Sequence, residues 1–274
     1  MRSPLSSVVP ARSARGGSAL RSPRTWAISG AFCGALLTAL IWAPAAWLVS
    51  AVQAASAGKV LLQEARGTVW NGSARLVLAE GAGSRDRTSL PTRLEWTLRP
   101  GFNGLQMSLH SDCCTPAPVK ARVSLGWNAM TAQIQDSLIE LPAELLAGLG
   151  TPWNTVALQG QLRLSTQKLQ LHYRAGRANS EGLTRLEALA VSSRLSPLKP
   201  LGSYRLDIQG GDSPRLQLST LSGDLQLSGL GQWVDSRLHF NGEASASPER
   251  EAALSNLLNI LGRRQGARSI ITFG

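Results

Sequence analysis

No acidic residue precedes Glu64, and the whole 274-residue chain sets 17 Asp and Glu against 28 Lys and Arg, a formal net charge of +11. Cysteine is scarce at three, too few for a disulfide-framed miniature domain. The histidines, His110, His172 and His239, are also three, far apart and without a shared motif. The chain contains no nucleophile elbow, P-loop, dinucleotide fingerprint or HExxH, and its acids are scattered singly apart from Glu249 and Glu251. Those absences leave no residue pattern for catalysis, for a cofactor or for a small-molecule substrate. Aromatics make up only 5%, yet eight of them are Trp. With 43% hydrophobic residues, disorder over the whole length is excluded.

Taken alone, the charge excess suggests a nucleic-acid binder. Five of the eleven charges, however, are Arg2, Arg12, Arg15, Arg21 and Arg24 in a Ser-, Pro- and Gly-rich start. The later Lys and Arg residues alternate with apolar ones, as a solvated sheet face does, and form no basic cluster interleaved with aromatics. Nucleic acid is therefore not an expected partner. Residues 1–24 read as a disordered, Arg-rich cytoplasmic tail.

From Trp26 to Val49 runs an uncharged apolar stretch of 24 residues, with Trp26 and Trp47 near its ends. A helix rising about 1.5 Å per residue over that length crosses a hydrocarbon core of about 30 Å. The arginines before it place the N-terminus in the cytoplasm. The expectation is a transmembrane helix over 25–52, kinked at Pro44, followed by a periplasmic domain over 53–274. A cleaved secretory signal is the alternative, since Ala55 and Ala57 have cleavage-like spacing, although the stretch exceeds the usual 7 to 15 apolar residues.

After Val60, apolar and polar residues alternate with period 2, the mark of half-buried strands. Leu94, Trp96 and Leu98 share one face of RLEWTLR, and Leu105, Met107 and Leu109 share one face of GLQMSLH. Similar runs recur to RLHFN at Arg237, punctuated near Asn71, Pro100–Gly104, Ser165, Gly210–Pro214 and Ser222. The fold expected is mainly β: a long twisted antiparallel meander, as an open sheet or half-barrel, with one or two short helices. LPAELLAGLG (141–150) predicts about two helical turns. In SPEREAALSNLLNILGRR, Ser247 is a candidate cap, Gly262 a stop, and Leu254, Leu257, Leu258 and Leu261 form an apolar stripe that either packs on the sheet or faces a partner. Adjacent Cys113 and Cys114 bond only through a strained eight-membered ring; they are either a vicinal disulfide or two free thiols, and with His110 they lack the ligands of a metal site.

A sheet with one apolar face needs a cover: a second layer, the helices, a partner or acyl chains. Side chains such as Leu94, Trp96, Leu169, Leu216 and Leu225 would line an open lipid- or lipopolysaccharide-handling groove. The ordered set ARGTVWNGSARL, LEWTLRP with GLQMSLH, LPAELLAGLG, PLGSYRLDIQG, LSTLSGDLQLSGLGQW and LSNLLNILGRR resembles the type II secretion system protein N family. That resemblance implies a non-enzymatic accessory component in the inner membrane of a Gram-negative cell, single-pass, with its C-terminal domain in the periplasm. It also implies, as partners, the other inner-membrane platform subunits, with the outer-membrane secretin a further candidate.

Overall fold

The computed structural model describes residues 23–81, 83–84, 86–102, 104–234 and 237–274. The expected cytoplasmic tail lies almost wholly outside them. The chain divides into two compact units, Met1–Trp42 and Ala43–Gly274. In the first, helix α1 (Pro23–Ile41) carries Trp26, Ile28, Phe32 and Leu36 exposed.

The single continuous span expected over 25–52 is not what the chain forms. Helix α1 stops at Ile41, α2 occupies Ala45–Ala55, and among the described residues no helix is long and apolar enough to cross a membrane. Pro44 explains the break, because it has no N–H to continue the ladder and biases the preceding residue towards extended backbone. The extended residues are then held by strand-like contacts. Pro44 bridges Thr68, and the Val69 N–H donates to the Ala43 carbonyl at 2.9 Å.

The second unit is built on sixteen strands: β1 (Val60–Gly67), β2 (Asn71–Ala79), β3 (Arg87–Ser89), β4 (Leu94–Gly101), β5 (Gly104–His110), β6 (Val119–Gly126), β7 (Ala129–Ile134), β8 (Ser137–Pro142), β9 (Gln159–Arg174), β10 (Arg177–Ser192), β11 (Gly202–Gln209), β12 (Arg215–Gly223), β13 (Leu225–Val234), β14 (Arg237–Ala246), β15 (Arg263–Gln265) and β16 (Arg268–Phe273). These sixteen, counted among the described residues, join in one antiparallel sheet ordered β1-β2-β4-β5-β6-β7-β9-β10-β11-β12-β13-β14-β16-β15, with β3 beside β2 and β8 beside β9. The period-2 pattern is the cause. Each apolar set meets its neighbour in register, as in Trp96 opposite Leu109, Leu109 opposite Val119, and Leu186 opposite both Leu164 and Leu206.

One expected turn is absent. The Ser165 segment lies inside the 16-residue strand β9, which pairs with the equally long β10. A bulge takes the place of a turn. Lys168, at φ 50°, and Leu169 lie against the single residue Gly182, at φ 98°, in the break between the Gln170–Glu181 and Gln167–Leu183 pairs, and the Lys168 N–H donates to Asp136 Oδ1 at 2.7 Å. A Cβ on Gly182 would meet the Lys168 carbonyl oxygen. The side of β9 away from β10 is shared by β7 and β8 in series, divided at Asp136.

Three apolar clusters cover parts of one sheet face. In the first, Ala45, Leu48, Val49 and Val52 of α2 pack on Leu62, Ala74, Trp96 and Leu98. The second, smaller, joins Leu145 of a 3₁₀ helix (Ala143–Leu149) to Leu90 and Cys114. This helix is the two-turn segment expected at 141–150. Gly148 fits it against the sheet, since a Cβ there would come 2.5 Å from the Leu78 oxygen and 2.8 Å from the Thr88 nitrogen. The third cluster gathers Val191, Leu201, Tyr204, Leu225, Phe240, Ala244 and Ile271 under the C-terminal helix. A four-residue helix, α3 (Trp153–Val156), precedes β9, and that C-terminal helix is α4 (Glu251–Leu261). Its ends differ from expectation: the Ser247 hydroxyl turns to Asp224 Oδ1 (3.4 Å) and does not cap, and Gly262 is extended and leads directly into β15.

Candidate functional site

The apolar face does not form one groove. Of the five side chains expected to line it, Leu94 and Trp96 belong to the α2 cluster, Leu216 and Leu225 to the α4 cluster, and Leu169 to neither. Between the covered ends, Leu125, Met130 and Tyr173 stand in one cross-strand row with Leu171 nearby, all exposed, Leu125 at 78%. Trp127 projects fully exposed from the β6–β7 turn.

The Leu stripe of α4 is taken up by the molecule's own core. Leu254 and Leu258 are 0% exposed, Leu257 is buried and Leu261 packs against the same cluster. Beneath it the Tyr204 hydroxyl donates to the Leu225 carbonyl at 3.1 Å, and burial pushes the phenol's pKa up from its ordinary value. At the second cluster, the adjacent Cys113 and Cys114 have their Sγ atoms placed within bonding reach of each other. Cys114 is buried and its carbonyl accepts from the Glu140 N–H at 2.7 Å, while Cys113 is exposed and its N–H donates to Thr92 Oγ1. His110 bonds Asp112 and Thr115, and His172 bonds Thr131. Among the described residues no group of three or more His, Cys, Asp and Glu could hold a metal ion.

The opposite, polar face has two electrostatic regimes. Across β8 to β11, charges alternate: Glu140 faces Arg163, Arg163 faces Glu187, and Glu187 faces Arg205. Arg163 Nε donates to Glu140 Oε1 at 3.0 Å and Arg205 Nε to Glu187 Oε1 at 3.0 Å. Arg185 gives Asp207 a two-pronged contact, Nε to Oδ1 at 2.7 Å and Nη2 to Oδ2 at 3.2 Å, and this hydrogen bonding raises the guanidinium pKa. Across β4 to β9 the pattern changes. The register runs Arg99, Gln106, Arg122, Gln133, Gln170, with amides where the other region has acids.

That second region is hollow. A cavity of about 650 Å³ is lined by Arg99, Lys120, Arg122 and Lys168, with Gln133 and Gln170 among the residues between them and, among the described residues, no carboxylate on its wall. None of the four cations has a salt-bridge partner among the described residues. Reading the chain linearly misses this cluster, because Arg99 and Lys168 are 69 positions apart and only strand pairing brings them to one wall. The usable signal is the strand register, which places a basic or amide residue at each polar-face position of the row.

A sequence model described as Type II secretion system (T2SS), protein N matches residues 58–271, most of the chain and nearly all of the sheet. The chain belongs to the type II secretion system protein N family. No curated protein and no solved structure matches it. Membership in the protein N family suggests an accessory component of type II secretion, and implies association with the inner membrane and other components of that system as partners. The match begins just after α2, so the α2 cover lies outside it while the strands it packs on lie within.

Proposed function

We propose that the protein is a non-catalytic periplasmic scaffold of the type II secretion machine, supporting export of folded proteins across the outer membrane. The family match over residues 58–271 carries the reading. Supporting it, both ends of the apolar sheet face are closed by the protein's own α2, 3₁₀ helix and α4, as suits a rigid support. Its partners are the inner-membrane platform subunits, with the secretin as a second candidate. Among the described residues the edge strand β1 pairs on one side only and so can accept a partner's strand. The exposed apolar side chains of α1 supply attachment to the inner membrane.

A second reading, acyl-chain handling, is favoured by one observation: the uncovered row of Leu125, Met130 and Tyr173 between the closed ends. One experiment separates the two. Deleting the gene and assaying both exoprotein release and outer-membrane permeability is expected to weaken or abolish release while the permeability barrier stays intact. Normal release from a leaky envelope would reverse the ranking.

A further inference from the structure

We propose that the hollow on the polar face binds a compact phosphate-bearing anion through Arg99, Lys120, Arg122 and Lys168. This goes beyond the scaffold reading and does not depend on it. The first ground is charge. Elsewhere on the same face three arginines, one each on β9, β10 and β11, meet carboxylates across the strands: Arg163 with Glu140, Arg185 with Asp207 and Arg205 with Glu187. Among the described residues, the four cations in the hollow meet none. The nearest acid along the register row is Glu181, opposite Gln170 and three strands from Arg122, about 14 Å away at the usual strand spacing. Asp136, beside Lys168, is engaged by the Lys168 backbone N–H.

Geometry narrows the ligand. Arg99 and Arg122 face each other across one intervening strand, so their backbones are about 10 Å apart, and Lys120 is two residues from Arg122 on the same side of β6. Lys168 stands on β9, two strands beyond Arg122, and all four side chains line the one hollow, whose size bounds the ligand to a compact, multiply charged group. Guanidinium forks match phosphate oxygens in pairs, and ammonium groups add unoriented positive charge. Carboxamides such as those of Gln133 and Gln170 supply further donors. The volume, about 650 Å³, is in the range of small-molecule sites. An acidic polypeptide fits less well. Beneath the hollow β5, β6, β7 and β9 are hydrogen-bonded to neighbours on both sides, so only the end of β4, past its pairing with β2, leaves a short strand edge for a peptide main chain.

The full chain in neutral detergent micelles can be titrated calorimetrically with inorganic pyrophosphate, with dihexanoylphosphatidylglycerol against dihexanoylphosphatidylcholine, and with a polyglutamate decamer. Saturable binding of pyrophosphate is expected to weaken at least tenfold in R99Q/R122Q and again in K120Q/K168Q, and to weaken with added salt. A charge-matched control, R215Q/R263Q, whose arginines lie outside the hollow, is expected to bind as the parent does. Phosphatidylglycerol binding sensitive to the same changes, without pyrophosphate binding, assigns the phosphate to a lipid headgroup; pyrophosphate binding alone assigns it to a soluble molecule. Polyglutamate binding with neither phosphate probe, no binding at all, or equal loss in the control overturns the proposal. Unchanged thermal midpoints in the variants separate lost binding from lost fold. A secretion defect tests the scaffold reading separately, because it does not enter these titrations.

Discussion

Cys114 is 2% exposed against Leu90 and Leu145, whereas Cys113, one residue earlier, is exposed. Two equivalent thiols thus do different work: one fills a small core and the other ties the turn from outside. We propose that the bond between them forms in the mature protein. Alkylating the denatured, unreduced chain is then expected to add one label, at Cys33, and reduction beforehand is expected to raise the count to three. Three labels without reductant would overturn the assignment. At this scale the sequence was legible only in part. Adjacency fixed which cysteines could meet, but the burial of Cys114 depends on a 3₁₀ helix some thirty residues later, which no local pattern connects to it. The basic hollow was hidden for the same reason, since Arg99, Lys120, Arg122 and Lys168 become neighbours through strand pairing alone.

Helix α4 was the most readable element, because Leu spacing of three and four on a run of helix formers leaves little alternative. Its destination was less readable. A stripe of that kind serves a partner or a core equally well, and what decides here is that Val191, Leu201, Tyr204, Leu225 and Phe240 already present an apolar bed under it. Leu258→Ala is expected to cost about 2 to 5 kcal/mol, the usual range for emptying a closed core site. Ile260→Ala, at an exposed position on the same helix, is expected to cost far less. Urea unfolding of both variants checks this, and equal losses would mean that the stripe is not the packing face. The Ser165 segment misled in the other direction. Polar residues that read as a turn instead sit beside a bulge, where Gly182, having no Cβ, lets the Lys168 carbonyl approach across the ladder.

For the sheet unit as a whole, the alternation of apolar and polar residues announced the architecture, and the apolar run before it misled. Hydropathy sees Trp26 to Val49 as one stretch; it does not see that Ala43 and Pro44 are held extended by Thr68 and Val69, or that Leu48, Val49 and Val52 are committed to covering Leu62 and Trp96. A chain beginning at Gly58 is therefore expected to melt well below one beginning at Ala43, which keeps α2. Differential scanning calorimetry of the two decides it, and equal midpoints would show that α2 is dispensable and that cleavage near Ala57 is tolerated. The strand order has a further consequence. Almost every strand pairs with the one made just before it, so a chain threaded amino end first can zip up hairpin by hairpin without waiting for distant segments. β4 passes over β3 to reach β2 and β8 waits for β9, but the largest exception is the end. β14, β16 and α4 close the third cluster last, which makes the segment from Arg237 onward a latch, and a nascent chain stalled short of it carries an open apolar bed that quality-control proteases can recognise.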